Sequence, residues 1–303
     1  MIWIAIALLV AALPALAEIL RAPVDRLRRN GAGAGAAARL SDGVTWYRWF
    51  GEPGQPVTVL VHGLTGASFI WEGLAPRLAA DGQRVLVYDL YGRGLSDRPR
   101  GAQTREFMFR QLHDLLGDQG VEDGITLIGY SLGGSVATVF AAAEPERIER
   151  LILIAPAGLA RRARPAAEFC RRVPLLGDWA MAVFGGIAMR REPVAEPSSV
   201  ERLAARMAAE TRVRGYLRSV LSSQRNLLGE RLDADHAELR RMYVPTLAIW
   251  AEADRTIPLA ALGELAQANR DARHATIPGA GHGLVHTHPA EIHREIRDFL
   301  ADL

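Results

Sequence analysis

One segment sets the architecture of this chain: Ile125-Thr126-Leu127-Ile128-Gly129-Tyr130-Ser131-Leu132-Gly133-Gly134. Its apolar start predicts a buried strand, and the small residues from Gly134 onward predict the helix that follows. A Gly-x-Ser-x-Gly sequence at such a turn holds its serine in a strained conformation and exposes the hydroxyl above the sheet edge. Gly129 and Gly133 let strand and helix approach each other. An ordinary tight turn can share the pattern, but the strand-then-helix setting favours Ser131 as a nucleophile.

The composition bounds the possible chemistry. With 303 residues, 49% of them hydrophobic, the chain can form one large α/β domain with an insertion. All 36 basic residues are arginine, and the lack of lysine excludes Schiff-base chemistry and lysine-dependent phosphate loops. The net charge of +2 gives no indication of a nucleic-acid partner. The single cysteine, Cys170, excludes an intrachain disulfide, and we expect it to serve packing.

The first twenty residues predict a membrane segment, because residues 1–17 are an almost unbroken apolar run and no charge precedes Glu18. Ala15-Leu16-Ala17 is similar to a signal-peptide cleavage site, yet no basic residue precedes the run. Four arginines follow it instead: Arg21, Arg26, Arg28 and Arg29. Flanking basic residues tend to stay cytoplasmic. We therefore expect an uncleaved anchor at residues 1–20 with a cytoplasmic catalytic domain. The alternative is an enzyme that is exported after cleavage.

A basic, Gly/Ala-rich linker is predicted for residues 21–38, with a flexible tether at residues 31–38. From residue 39 onward, short apolar runs alternate with helical patterns. This alternation predicts a mostly parallel β-sheet with helices on both faces. Ser41-Asp42-Gly43 predicts a hairpin turn that opens the sheet. The strands are predicted at residues 57–61, 85–88, 125–128, 151–154, 247–250 and 275–277.

The alternation stops between residues 158 and 241, where helical patterns predict an insertion without strands. Residues 161–241 contain 16 arginines against 10 acidic residues, a charge of about +6, whereas the remainder is net acidic. We interpret this charge as a solvated surface. The alternative is docking to an anionic membrane beside the anchor.

A serine hydroxyl needs a base and an orienting acid. His282 follows the last predicted strand in a glycine-rich loop, which could carry an imidazole over the sheet edge. The nearby His286 and His288 suggest a metal cluster as the alternative, but no helix is predicted that would place the three rings on one face. Asp254, just beyond an earlier strand, is the predicted acid. Its rival Glu252 is closer to the strand.

Backbone N–H groups are predicted to hold an oxyanion. The N–H of Leu132 begins the helix after Ser131, and the N–H of Leu64 lies in the loop after the first inner strand. In that loop Gly63 allows the sharp turn, and His62 is expected to buttress it. Asp89 and Asp97, which flank a second glycine-rich loop, are expected to fix loop geometry.

Taken in chain order, these motifs resemble the α/β-hydrolase fold family, from about residue 40 to the C-terminus. They are His62-Gly63, the loop at residues 89–97, the turn at residues 129–134, Asp254 and Gly281-His282. The resemblance implies a hydrolase core at residues 39–157 and 242–303 and a helical cap at residues 158–241. The layout with an N-terminal anchor is similar to some bacterial esterase-like and monoacylglycerol-lipase-like members.

The resemblance further implies a serine hydrolase that cleaves carboxylic esters through Ser131, His282 and Asp254 without a cofactor. A serine at the turn weighs against the dehalogenase and epoxide-hydrolase branches, which use aspartate. Carbon-carbon hydrolases of ring-cleavage products, acyltransferases or perhydrolases, and low-turnover receptors remain as alternatives. Apolar residues of the cap are expected either to line a pocket for a small hydrophobic ester or to pack as the core of the cap. They are Leu175, Leu176, Trp179, Met181, Val183, Phe184 and Ile187.

Overall fold

Eight strands form one sheet in the part of the chain that the computed structural model describes, residues 1–29 and 35–302. Their order is β1-β2-β4-β3-β5-β6-β7-β8, with the pairs β1-β2 and β2-β4 antiparallel and the pairs from β4-β3 to β7-β8 parallel. The strands are β1 (Ala36–Leu40), β2 (Gly43–Phe50), β3 (Val57–Val61), β4 (Arg84–Tyr88), β5 (Ile125–Tyr130), β6 (Ile148–Ile154), β7 (Thr246–Ala251) and β8 (Arg273–Ile277).

Helices cover both faces of this sheet. The α-helices are α1 (Ile2–Ile19), α2 (Val24–Arg29), α3 (Ala75–Ala80), α4 (Arg105–Asp118), α5 (Leu132–Ala143), α6 (Pro165–Arg172), α7 (Leu176–Ala180), α8 (Gly186–Arg190), α9 (Leu203–Glu210), α10 (Tyr216–Arg225), α11 (Asp233–Arg241), α12 (Ala260–Ala268), α13 (Leu284–Thr287) and α14 (Pro289–Ala301). Short 3₁₀ segments lie at Ser68–Gly73, Pro145–Arg147 and Leu227–Gly229, and a π-helical turn lies at Met181–Gly185.

The alternation of side chains along each strand divides the core into two layers. Along β3, Val59 and Val61 pack into one layer together with side chains of α4 and α5, whereas Leu60 packs into the other with side chains of α3 and α14. The predicted α/β fold is therefore confirmed. All six predicted strands are present, and β1 and β2 form the predicted hairpin.

The prediction of a flexible tether at residues 31–38 is wrong for residues 36–38. Residues 36–38 pair with residues 45–47 as the first half of β1. Backbone hydrogen bonds to β2 hold this edge strand, and Ala38 is buried. The alanine-rich residues 36–38 therefore form part of a strand and not a flexible tether. Residues 31–34 of the predicted tether lie outside the described residues. In the basic part of the linker, Ala22 bridges to Val213 of the insertion.

The described residues between β6 and β7 carry helices α6 to α11 and no strand. A separate apolar cluster lies among these helices, formed by Met181, Val213, Tyr216, Leu217, Val220 and Leu221. Helix α11, at the end of the segment, packs against α5 and α12 instead. The cluster thus holds α10 and the π-helical turn together, while α11 lies on the sheet layers.

Among the described residues, one helix is long and apolar enough to cross a membrane, namely α1. It has 18 residues with a mean hydropathy of 2.3, and none of them is buried. Length and composition alone do not separate an anchor from a signal sequence. The fold therefore gives the chain one membrane-compatible helix at its N-terminus.

Candidate active site

Ser131 lies at the tip of the turn between β5 and α5 with φ 53° and ψ −117°. A non-glycine residue at positive φ is strained, and this strain is typical of functional sites. The flanking glycines make the turn possible, because a Cβ on Gly129 would overlap the carbonyl oxygen of Gly133. A Cβ on Gly133 would in turn overlap the carbonyl oxygen of Val61. The turn thus requires glycine at both positions, as its sequence predicts.

The three side chains predicted for catalysis lie in one hydrogen-bonded chain. Ser131 Oγ is 3.1 Å from His282 Nε2, and His282 Nδ1 is 2.7 Å from Asp254 Oδ2. The second carboxylate oxygen of Asp254 accepts the N–H groups of Thr256 and Ile257 at 2.7 and 2.9 Å. The Asp254 side chain is 1% exposed and that of His282 is 26% exposed. A fixed carboxylate holds the proton on Nδ1 and leaves Nε2 free to accept one from Ser131.

The rival residues lie elsewhere. Glu252 accepts the N–H of Gly279 at 2.8 Å and has no contact with the imidazole. His286 is directed into the interior, where burial, followed by the charge of His282, lowers its pKa to about 4. The Nδ1 atom of His288 lies 2.8 Å from the Thr287 hydroxyl. Within the described residues no three His, Cys, Asp or Glu side chains form a group that could hold a metal ion.

The loop after β3 lies against the serine turn. A Cβ on Gly63 would be 3.4 Å from Ser131 Cβ and 3.1 Å from the Tyr130 ring, so this loop packs closely against the serine turn. The N–H groups of Leu64 and Leu132 have no hydrogen-bond acceptor within residues 1–29 and 35–302. Free N–H groups beside a nucleophile can stabilise an oxyanion.

His62 braces that loop from below. Its Nδ1–H donates to the Gly63 carbonyl at 2.7 Å, and its Nε2 accepts the N–H of Leu90 at 2.9 Å. Complete burial lowers its pKa to about 4, so the ring is neutral at physiological pH. Both ring nitrogens are occupied by backbone groups, which leaves His62 no proton to exchange with a substrate.

The second glycine-rich loop is held by its two aspartates. Asp89 accepts the N–H groups of Ser68 and Leu95, both at 2.8 Å. Asp97 accepts the N–H of Val44 at 2.7 Å. These are the side-chain to backbone bonds that stabilise tight loops, and they position the loop that follows β4.

Two further residues, which the sequence reasoning missed, contact the site. Tyr130 donates its hydroxyl to the backbone carbonyl of His282 at 2.7 Å and so anchors the histidine loop. Burial raises the pKa of the Tyr130 phenol, which keeps it a donor. Arg93 is fully buried and donates to the carbonyl of Leu64 at 3.0 Å. Two features of the sequence could have identified them: Tyr130 lies inside the serine turn, and Arg93 lies between two glycines.

The apolar residues expected in a pocket or in the core of the cap divide into two groups. Met181 is buried, and Trp179 and Val183 are half-buried. Four others are exposed to solvent: Leu175 (84%), Leu176 (65%), Phe184 (53%) and Ile187 (43%). Neither core packing nor a closed pocket fits these four. A groove of about 570 Å³ lies between α4, α5 and α11, and none of the three predicted catalytic residues lines it.

Comparisons with known proteins match this architecture. The sequence model of a family described as alpha/beta hydrolase fold matches residues 56–289. An uncharacterized hydrolase of Bacillus subtilis, YugF, is 24% identical over 279 residues, covering 86% of this chain and 95% of that protein. An uncharacterized protein of Mycobacterium tuberculosis is 37% identical over 108 residues, which are 35% of this chain and 30% of the relative. The chain thus spans less than a third of the mycobacterial relative.

Among solved structures, the enol-lactonase of Burkholderia xenovorans LB400 is similar with a TM-score of 0.69 and 25% identity. The likeness covers 88% of this chain and all of the enol-lactonase chain. This is a far larger share of the chain than the 35% that the mycobacterial match covers.

Proposed function

The chain belongs to the α/β-hydrolase fold family, and we propose that it is a serine hydrolase that cleaves carboxylic esters through Ser131, His282 and Asp254. One observation carries the proposal: the hydrogen-bonded sequence from Ser131 Oγ through His282 to the buried Asp254 carboxylate, at 3.1 and 2.7 Å. A strained serine, an imidazole within hydrogen-bond distance of it and a fixed carboxylate are the parts that acyl transfer to serine requires. The enol-lactonase neighbour, whose name indicates action on a cyclic ester, supports the same substrate class.

The reaction proceeds in two halves. His282 Nε2 takes the proton of Ser131 as Oγ attacks the ester carbonyl, and the Asp254 carboxylate stabilises the imidazolium that forms. The N–H groups of Leu64 and Leu132 bind the oxyanion of the tetrahedral intermediate. His282 then returns the proton to the leaving alcohol, which leaves an acyl ester on Ser131. Water, deprotonated by the same imidazole, releases the acid in the second half.

Turnover tests this proposal. A panel of p-nitrophenyl esters with short and long acyl chains is hydrolysed by the wild type, and Ser131→Ala lowers kcat by roughly 10⁴-fold or more. The matched control is Ser135→Ala, one turn along α5, because Ser135 is buried and its Oγ has no hydrogen-bond partner in the described structure. Equal hydrolysis by wild type and Ser131→Ala would refute the proposal.

The same panel separates the other functions. If no ester is hydrolysed and a small molecule shifts the thermal stability, the protein is a receptor on a hydrolase fold. If an added alcohol or peroxide outcompetes water as the acyl acceptor, it is a transferase or perhydrolase. Cleavage of a ring-cleavage product with no ester turnover assigns carbon-carbon hydrolysis.

We further propose that α1 is an uncleaved membrane anchor with the catalytic domain on the cytoplasmic side. The mean hydropathy of 2.3, the lack of burial and the arginines that follow support this placement. Fractionation tests the anchor, since the protein should remain with membranes after alkaline carbonate washing. Protease added to spheroplasts tests the side: a protected catalytic domain agrees with the proposal, and a digested one assigns export.

A further inference from the structure

A set of five large apolar side chains on the insertion is exposed to solvent. We name this set the apolar face of the insertion, and its members are Phe169 (46% exposed), Leu175 (84%), Leu176 (65%), Phe184 (53%) and Ile187 (43%). They come from α6, from α7 with its preceding residue, from the π-helical turn and from α8. Large exposed apolar patches mark binding surfaces for proteins or membranes.

Helix α1 is joined to this face by a hydrogen bond that its own sequence makes necessary. Pro14 lies inside α1 and has no N–H, so the Val10 carbonyl loses its partner four residues along the helix. The indole Nε1 of Trp179 donates to that carbonyl at 2.8 Å. Trp179 also packs edge-on against Phe184, with ring centroids 5.6 Å apart. The carbonyl that Pro14 leaves without its helical partner is thus satisfied by Trp179, which packs beside Phe184 of the apolar face.

The position of this contact along α1 sets a depth. Val10 lies nine positions before Ile19, which corresponds to about 14 Å at the helical rise. The whole helix is about 27 Å long, close to the hydrocarbon thickness of a bilayer, which is about 30 Å. Trp179 therefore contacts α1 near the midpoint of a span, and α1 also packs against α7 and the π-helical turn.

Polar contacts surround the C-terminal end of α1. Arg214 donates to the carbonyls of Glu18 and Ile19 at 3.2 and 3.0 Å, and Arg21 donates to the carbonyl of Ala182 at 2.6 Å. The Glu18 carboxylate accepts the N–H of Gly215. These charged groups satisfy the last turn of α1 at the level where headgroups and water begin.

Resting on the membrane anchor proposed above for α1, we propose that the apolar face of the insertion is embedded in lipid alongside α1, in the leaflet nearest the catalytic domain. The occupant is a bilayer because α1, an apolar helix of span length, packs against α7 and the π-helical turn, which carry part of this face. In addition, a helical carbonyl freed by proline must be satisfied by a neighbour when no water is present. Arg172, at the end of α6, is 70% exposed and is paired with Glu168. Asp178, close to the face, is paired with Arg225 at 2.8 Å.

Site-specific labelling of the full chain tests this proposal without reference to enzymatic activity. Because Cys170 is the single cysteine, Cys170→Ser provides a cysteine-free background for Leu176→Cys and Phe184→Cys. Each variant is labelled with the environment-sensitive fluorophore NBD and reconstituted into vesicles of equal parts phosphatidylcholine and phosphatidylglycerol. The control position is Asp123→Cys, an exposed site in the turn before β5.

The expected result is a blue-shifted emission at positions 176 and 184, quenched by lipids that carry a doxyl group on the acyl chain. The label at position 123 should remain accessible to aqueous iodide. Iodide quenching at positions 176 and 184 equal to that at 123 would overturn the proposal. A blue shift that doxyl lipids do not quench would also overturn it and would assign the face to a second copy of the chain.

A second variant tests the role of Trp179. Trp179→Phe keeps an aromatic ring but removes the donor to Val10, so doxyl quenching at position 176 should decrease. Trp3→Phe is the control, because Trp3 is 79% exposed near the free end of α1, and it should leave that quenching unchanged. Equal quenching in wild type and Trp179→Phe would show that the indole does not set the depth.

Discussion

The strained conformation of Ser131 depends on the absence of side chains at Gly129 and Gly133. The Gly133→Ala change places a Cβ against the carbonyl oxygen of Val61. Because displacing backbone atoms is energetically costly, we expect a loss of about 2–3 kcal/mol in the free energy of unfolding together with loss of the proposed esterase activity. Chemical denaturation and ester turnover measure both effects.

The control for this change is Gly263→Ala in α12, where a Cβ would meet no atom within 4 Å. Replacing an unhindered helical glycine should stabilise the protein by about 0.5–1 kcal/mol and leave turnover unchanged. A neutral Gly133→Ala variant would contradict the steric explanation of the turn.

The two carboxylates near the end of β7 are distinguished by their partners. Asp254→Asn preserves the shape of the side chain but can present an N–H to His282 Nδ1, which favours the tautomer that cannot accept the Ser131 proton. We expect kcat to fall by roughly 10⁴-fold with KM little changed. Glu252→Gln is the control, because an amide oxygen can still accept the Gly279 N–H. Steady-state kinetics decide the assignment: if Glu252→Gln loses as much activity as Asp254→Asn, Asp254 is not the orienting acid.

At the scale of elements, Arg93 fastens three segments together. Its guanidinium donates to the Leu64 carbonyl in the loop after β3, to the Tyr91 carbonyl in the loop after β4 at 2.9 Å, and to Ser223 Oγ of α10 at 2.8 Å. Burial lowers its pKa to about 10, which still leaves it charged at neutral pH. The insertion and the proposed oxyanion loop thus share one buried cation.

Arg93→Met removes these donors and leaves the Leu64 and Tyr91 carbonyls without this partner. We expect destabilisation by about 2–4 kcal/mol and, because the Leu64 peptide is released, a decrease in kcat that exceeds any increase in KM. The control is Arg241→Met, an exposed arginine paired with Glu238, which should change stability by less than about 0.5 kcal/mol. A decrease confined to KM would place Arg93 in substrate binding instead.

The elements also show what local sequence determines. Each inner strand could be predicted, because a strand buried on both faces is a continuous apolar run. The β1-β2 hairpin was predicted from the turn residues Ser41-Asp42-Gly43. The beginning of β1 was not predicted, because residues 36–38 gain their structure from pairing with β2. Without that partner, an alanine run has the composition of a linker.

At the scale of the whole molecule, buried histidines make stability depend on pH. Burial lowers the pKa values of His62, His236 and His286 to about 4 from 6.5. Below about pH 6.5 the unfolded chain binds protons that the folded chain does not, so stability is complete above this pH and is lost as the pH falls toward 4. Urea denaturation in detergent micelles at about pH 7.5 and about pH 5 should show the decrease.

His236 offers a direct test of this dependence. It is fully buried in α11, and within the described structure neither ring nitrogen has a hydrogen-bond partner. His236→Leu should therefore reduce the decrease in stability between the two pH values. Thr138→Val, which removes another buried unpartnered polar atom but no titrating group, should leave the decrease unchanged. An identical pH dependence in wild type and His236→Leu would rule out this explanation.

Long-range contacts separate what the sequence predicted from what it could not. Motif order placed Ser131, Asp254 and His282 at the ends of parallel strands, and the strand ends meet at one edge of the sheet. In contrast, the contact between Val10 and Trp179 joins residues 169 positions apart. Neither residue belongs to a motif, and the exposure of Leu175 and Leu176 depends on how the insertion packs. Periodicity therefore predicted apolar helices but not the face that they leave open.

The proposed mechanism is covalent, with Ser131 as its nucleophile. Mass spectrometry of the full chain after reaction with a fluorophosphonate, followed by mapping of the modified peptide, tests this role. We expect one adduct per chain, on Ser131, and none on Ser131→Ala. An adduct on another residue, or wild-type ester hydrolysis with no adduct at all, would contradict it.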